Sequence, residues 1–218
     1  MTGLRLYNYW RSSASHRVRI ALELKGLSYE YVPVHLTAGE GEQFSPEYRA
    51  LNPQSRVPSL ETADGILTQS MAILEWLEEK YPKPALLPAS ALERARVRAI
   101  AQILVADVQP LQNTSVIRYL KEKLGLDEAA VKSWLHEWIG RGLKAVNELL
   151  ERAVDRGPYC LGVQPTLADV CLAAQCAAAR RFGLDLSAYP LVARVDGQCG
   201  AQPAFQRAAP TSQPDAPR

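Results

Sequence analysis

The sequence predicts an α/β first half followed by an all-helical second half, on three observations. Short runs rich in aromatic and branched apolar residues lie between Leu4 and Thr68, each bounded by turn residues. A proline-dense stretch, PKPALLPAS at 82–90, then reads as a semi-rigid linker. Beyond it the apolar residues recur at helical spacing only.

Taken in order, the run from Leu4 to Tyr9 is a short strand that alternates crudely between apolar and polar. A helix follows, with Val18, Ala21 and Leu22 on one side, Leu24 alongside, and Gly26 placed to end it. Between strand and helix lie Arg11 and the hydroxyl residues Ser12, Ser13 and Ser15. Such a turn points backbone N–H groups and the positive end of the helix dipole at one place. A carboxylate, phosphate or thiolate would be favoured there. From this stretch alone, plain helix capping is the simpler account of the same serines.

The run from Tyr29 to Val34 is a second strand, and Pro33 assigns it to an edge because proline cannot donate to the ladder. After a polar stretch from Thr37 to Glu42, Pro46 to Leu51 forms a short helix ended by Asn52-Pro53. VPSLE at 57–61 is a third strand. Its Pro58 is either an edge proline or a cis proline, and a cis bond would leave the Val57 backbone able to pair with an extended peptide. Ala63-Asp64-Gly65 turns into a fourth strand, Ile66 to Thr68. Gln69-Ser70 then opens an amphipathic helix carrying Ile73, Leu74, Leu77 and Tyr81, stopped by Pro82. A βαβ unit followed by ββα, with proline opening the third strand, is a thioredoxin-like arrangement.

In the second half, Ala91 to Asp107 is a basic amphipathic helix, interrupted near Pro110. Asp127 to Ala153 is a long helix with Leu135, Trp138, Ile139, Gly142, Val146 and Leu149 in period. Thr166 and Asp169 have capping-box spacing ahead of an Ala- and Leu-rich helix. Residues 201–218, rich in Pro, Ala and Gln, are expected to form a loosely ordered tail. The expected domains are therefore 1–82 and 91–218.

Composition narrows the function classes. Across 218 residues, 25 basic against 23 acidic side chains give a net charge of +2, too balanced for nucleic acid as the main ligand. No apolar run reaches membrane-spanning length and no secretory signal opens the chain. Cys160, Cys171, Cys176 and Cys199 lack metal-ligand spacing, and with only His16, His35 and His136 beside them no metal is expected. Scattered thiols without a signal fit a reducing cytoplasm.

With these pieces in place, the chain resembles the glutathione transferase superfamily, and within it the zeta class of maleylacetoacetate and maleylpyruvate isomerases. RSSASHRVRIALELKG carries the resemblance most specifically, followed in order by LNPQSRVPSL, TQSMAILEWLEEKYP, QPLQNTSV and RRFGLDLSAYP. The resemblance implies a thioredoxin-like domain followed by an all-α domain, glutathione as cofactor, a small dicarboxylate as substrate and a homodimer. The class typically has Cys third in its Ser-Ser-Cys triplet, and Ala14 stands there, so a protein thiol at that position is not required.

Site residues follow from the resemblance position by position. Ser12 would face the glutathione sulfur, with Ser13 and Ser15 in the same turn. Val57, exposed by Pro58, would pair with the cysteinyl backbone, and Gln69 and Ser70 would hold the γ-glutamyl carboxylate. Gln43 would reach the glycyl end. Gln109, Asn113, Thr114 and Ser115 would touch glutathione across a dimer interface, although on bare sequence they equally form a polar helix face near the Pro110 kink. Arg11 and Arg181 match the class's substrate-binding arginines, with Arg180 ranked below its neighbour. Trp134 and Trp138 are assigned to packing, His16 to packing or a polar contact at the helix N-terminus, and Thr166 and Asp169 to folding.

Overall fold

The computed structural model describes residues 3–153 and 157–217. The chain divides into two compact units, Met1–Ala85 together with Ala201–Arg218, and Leu86–Gly200.

The first unit is built on four strands, β1 (Arg5–Asn8), β2 (Glu30–Pro33), β3 (Ser59–Thr62) and β4 (Gly65–Thr68), in the order β2-β1-β3-β4. β2 runs parallel to β1, whereas β3 is antiparallel to both β1 and β4. β2 is an edge, as Pro33 required. Helices α1 (Ser13–Leu24) and α3 (Ser70–Lys80) pack together, while α2 (Pro46–Leu51) follows a 3₁₀ turn at Glu42–Phe44. Leu6 and Leu60 of the sheet, Val18, Ile20 and Leu22 of α1, and Ile73, Leu74 and Leu77 of α3 have no exposed surface and form the core. The α3 C-terminus is closed by buried Lys25, whose Nζ meets the Glu78 carboxylate at 2.8 Å and the carbonyls of Tyr81 and Pro84 at 2.7 and 2.9 Å.

The C-terminal stretch corrects the expected organisation. Residues 201–218 are not a loose tail of the helical half. Helix α9 (Pro203–Ala208) packs against α1 of the first unit, and a 3₁₀ turn (Pro210–Ser212) packs on α9. Phe205 and Ala208 are buried there. Gln213 closes the helix end, its Nε2 donating to the carbonyls of Arg207 and Ala209 at 2.8 Å each. Composition hid this segment because two apolar anchors and side-chain caps hold it, with no periodic face.

The second unit contains α4 (Ala91–Gln102), α5 (Thr114–Glu122), α6 (Glu128–Arg152), α7 (Leu167–Arg181) and α8 (Pro190–Gly200). Twelve of α7's residues are buried, many of them Ala or Cys whose small side chains admit close neighbours. α4 gives way to a π-helical segment, Ile103–Val108, and a 3₁₀ turn, Gln109–Gln112, so the interruption starts earlier than Pro110 suggested. α6 crosses close by at Gly142, where a Cβ would stand 2.1 Å from Val108 Cγ2. α5 includes the polar helix face that the sequence allowed near Pro110, whereas no sequence pattern marked α8.

The capping box is present. Asp169 accepts from the Thr166 N–H and hydroxyl at 2.8 Å each and from the Cys160 N–H at 2.7 Å, all buried. These bonds favour the ionised carboxylate, but burial outweighs them and moves its pKa above the usual range. Asp169→Ala strands three buried donors at about 1–3 kcal/mol for each unmet group. We expect the thermal midpoint to fall by at least about 5 °C. A midpoint within a degree of the parent in differential scanning calorimetry would contradict this assignment.

Candidate active site

Ser12 is the N-cap of α1, with extended backbone, and its Oγ accepts from the Ser15 N–H at 3.2 Å. Its own N–H donates to the Tyr9 carbonyl at 3.0 Å. A hydroxyl that accepts through oxygen retains its hydrogen for a second partner. Ser13 and Ala14 occupy the first two helical positions, and no acidic residue stands in the first turn. The positive end of α1 is therefore not neutralised by its own side chains. Ser15 is fully buried and its Oγ has no protein partner among the described residues. The Arg11 guanidinium lies 5.8 Å from the ring centroids of both Tyr9 and Trp10.

A second helix N-terminus belongs to the same unit. Gln69 precedes α3 with φ 66°, makes no capping bond, and has no acidic residue in the turn that follows. That left-handed backbone costs a non-glycine residue on the order of 1 kcal/mol and is a kind of strain that gathers at binding sites. The Gln69 side chain donates to Gln54 Oε1 at 2.6 Å. Ser70 is buried and accepts two bonds from Arg17, at 3.2 Å from Nε and 3.0 Å from Nη2. Arg17 therefore ties α1 to the start of α3.

The Val57-Pro58 bond is cis. Strand pairing of β3 begins at Ser59, so Val57 lies just outside the ladder. Its position is held from the preceding carbonyl: Arg56 O accepts from the Tyr48 hydroxyl and Asn52 Nδ2, each at 2.7 Å. The Val57 side chain packs with Tyr9, Val34 and Tyr48, which carries the anchoring up to the residue before Trp10. Gln43 sits in the 3₁₀ turn, where Nε2 donates to Leu36 O at 3.4 Å and the buried Oε1 lacks a protein partner among the described residues.

The first unit thus supplies Arg11, Ser12, Ser13, Ser15, Gln43, Val57, Pro58, Gln69 and Ser70. The remaining residues that the sequence assigned to a site belong to the second unit. Gln109 opens the 3₁₀ turn and Asn113 is the N-cap of α5, its Oδ1 accepting from the Ser115 N–H and Oγ at 3.0 and 2.9 Å. Thr114 is exposed at the first position of α5. Arg181 ends α7 with its guanidinium 4.5 Å from the Phe182 ring centroid, whereas Arg180 is paired with Asp196. Trp134 is a packing residue, donating from Nε1 to Leu111 O at 2.9 Å.

Sequence reasoning missed Arg17. A signal existed, since no acidic residue lies three or four positions from it (Ser13, Ala14, Ile20, Ala21), which removes the ordinary surface ion pair as its purpose.

A mixed sheet of this order, a cis proline ahead of β3 and a hydroxyl capping α1, followed by a helical unit, define a glutathione transferase type of architecture. Residues 2–79 match the family described as glutathione S-transferase, N-terminal domain. A maleylpyruvate isomerase of Ralstonia sp is 51% identical over 97% of this chain and 99% of that protein. The holo structure of a maleylpyruvate isomerase, described as a bacterial zeta-class glutathione transferase, has a TM-score of 0.95 and 51% identity, covering 98% of this chain and 100% of that one. A maleylacetoacetate isomerase from Anaeromyxobacter dehalogenans 2CP-1, with glutathione bound in its active site, has a TM-score of 0.88 and 50% identity, covering 99% of this chain and 98% of that one. The chain belongs to the zeta class of the glutathione transferase family.

Ser70→Ala should leave the buried Arg17 guanidinium without the oxygen that accepts its two bonds. We expect a loss of about 1–3 kcal/mol. It reads as a fall of a few degrees in thermal midpoint, and an unchanged midpoint would show that Arg17 is satisfied without Ser70.

Proposed function

We propose that the protein is a glutathione-dependent cis–trans isomerase that converts maleylacetoacetate to fumarylacetoacetate in aromatic catabolism. The observation that carries this reading is Ser12 at the un-neutralised N-terminus of α1, in a chain half-identical to isomerases of this class.

The residues fit the cofactor. A γ-linked peptide with two carboxylates and a thiol calls for anion sites and amide acceptors. The open N-terminus of α3 suits a carboxylate, and the unpartnered Gln43 Oε1 suits a peptide N–H. The Val57 backbone, outside the ladder, suits pairing with the cysteinyl residue. When bound, glutathione supplies the thiolate that adds reversibly to the activated double bond, which makes it a single bond about which rotation occurs before the thiolate leaves.

The protein's part is electrostatic. A free thiol has a pKa of about 8.5, so the thiolate must be stabilised at neutral pH. The Ser12 hydroxyl and the first-turn N–H groups of α1 do this without a protein base. Arg11 receives a substrate carboxylate bidentately, and Arg181 is the second such residue. Gln109, Asn113, Thr114 and Ser115 contribute to glutathione across the interface of a homodimer. The four cysteines are buried and form no disulfide, which suits a cytoplasmic protein. Maleylpyruvate is the second reading of the substrate, favoured by the 51% identical relative and by Ala14.

An absorbance assay on each acid, with and without glutathione, separates the readings. Turnover only with glutathione, at constant total glutathione, is expected, and the faster acid is the substrate. Steady consumption of glutathione would identify a conjugating or dehalogenating transferase. No turnover, with no retention on immobilised glutathione, would leave a non-catalytic interaction module.

Ser12→Ala should lower kcat by roughly 10²–10³-fold and move the rate–pH profile upward; an unshifted profile would remove Ser12 from the thiolate site. Arg11→Ala should raise KM for the acid by about tenfold, some 1.4 kcal/mol. Glutathione affinity should stay the same, and unchanged kinetics would exclude Arg11.

A further inference from the structure

The backbone leading into Ser12 is held by two charged residues that the function above does not use. Arg19, fully buried in α1, donates from Nη2 to Trp10 O at 2.9 Å and from Nη1 to Tyr9 O at 3.3 Å and Asn8 Oδ1 at 2.9 Å. The Tyr9 carbonyl is the one that also accepts the Ser12 N–H. On the opposite side of residue 10, the Trp10 N–H donates to the Asp215 carboxylate at 3.1 Å, and the other Asp215 oxygen accepts from the Tyr31 hydroxyl on β2. Arg19 Nε then reaches Ala208 O, at the end of α9, at 3.1 Å. One guanidinium therefore holds both the turn and the C-terminal segment, and that segment returns a carboxylate to the same turn.

We propose that Arg19 and Asp215 are positioning residues for the thiolate site: they clamp both polar groups of Trp10 and thereby set Ser12 against the N-terminus of α1. This makes residues 201–218 part of the catalytic apparatus and not a terminal appendage. The inference rests on the reading of Ser12 as the thiolate donor. A displacement of about 1 Å at such a donor is enough to cost up to 10²-fold in rate.

The test measures the thiol pKa of bound glutathione, from thiolate ultraviolet absorbance, alongside kcat, KM and thermal midpoint. Asp215→Ala should raise that pKa by about one unit and lower kcat roughly tenfold, with KM for glutathione little changed. Asp215→Asn should restore most of both, because its oxygen still accepts from Trp10 and its amide meets a Tyr31 hydroxyl turned to accept. Tyr31→Phe, which leaves the Trp10 bond, should lower the midpoint without moving the thiol pKa. Arg19→Lys keeps the charge but loses the fork, and carries the same expectation as Asp215→Ala should that variant not fold.

A normal thiol pKa in both Asp215→Ala and Arg19→Lys, whatever their midpoints, would overturn the clamp. Ser12→Ala distinguishes the two ideas. If it leaves the thiol pKa in place while Asp215→Ala moves it, the Ser12 reading fails, and the clamp stands as acting on the α1 N-terminus.

Discussion

Arg19 carries a full charge with no exposed surface and directs its guanidinium at four protein oxygens. Removing such a group from water costs several kcal/mol unless its donors are met in good geometry. The acceptors must therefore stay where they are: the Asn8 side chain at the end of β1, two carbonyls of the following turn, and the last carbonyl of α9. Burial lowers the Arg19 pKa while nearby Tyr31, Tyr29 and Asp215 oppose that shift. The charge persists, because arginine starts far above neutral pH. Strand, turn, helix and C-terminal segment share this one constraint.

The same helix makes a second long-range tie on another side. Arg17 reaches Ser70 at the start of α3, so two helix N-termini of the first unit are referred to one element. Each lacks an acidic residue in its first turn. Helices in water commonly gain a few tenths of a kcal/mol or more from such residues. Their absence at both ends leaves the partial positive charge un-neutralised by first-turn side chains, as it also does at α5, α8 and α9. Gln69 adds a left-handed backbone at the start of α3 that helix formation alone gives no reason to hold.

What could be read from sequence was what local chemistry determines. Pro33 placed β2 at an edge, Thr166 and Asp169 announced a capped helix, and Val57-Pro58 stood where the chain needed a break before pairing. The hydroxyl cluster at Ser12, Ser13 and Ser15 marked the start of α1, although capping and ligand binding could not be told apart there. The structure gives Ser12 the capping bond and leaves Ser15 Oγ buried without a protein partner. Arg17 and Asp215 act across separations of 53 and 205 residues, and Arg19 joins bonds spanning 9 to 11 residues to one spanning 189. No periodicity records such contacts. At α5 the sequence left ligand residues and a polar helix face equally open, and the structure forms the helix, with Asn113 as a cap whose Oδ1 accepts two bonds from Ser115.

These ties also bear on Ala14. It occupies the second position of α1, between Ser13 and Ser15, where the class typically carries a thiol. On the proposed reading, the groups that meet an anion in this turn are backbone N–H groups and the Ser12 hydroxyl, and none of them belongs to the side chain of residue 14. Their placement is set from behind by Arg19 and from the flank by Asp215. A site whose stabilising power lies in backbone and one hydroxyl can exchange a neighbouring Cβ substituent without losing its electrostatics. On the proposed reading, thiolate stabilisation then belongs to Ser12 and the helix, and residue 14 bears on the site only through the space its side chain fills.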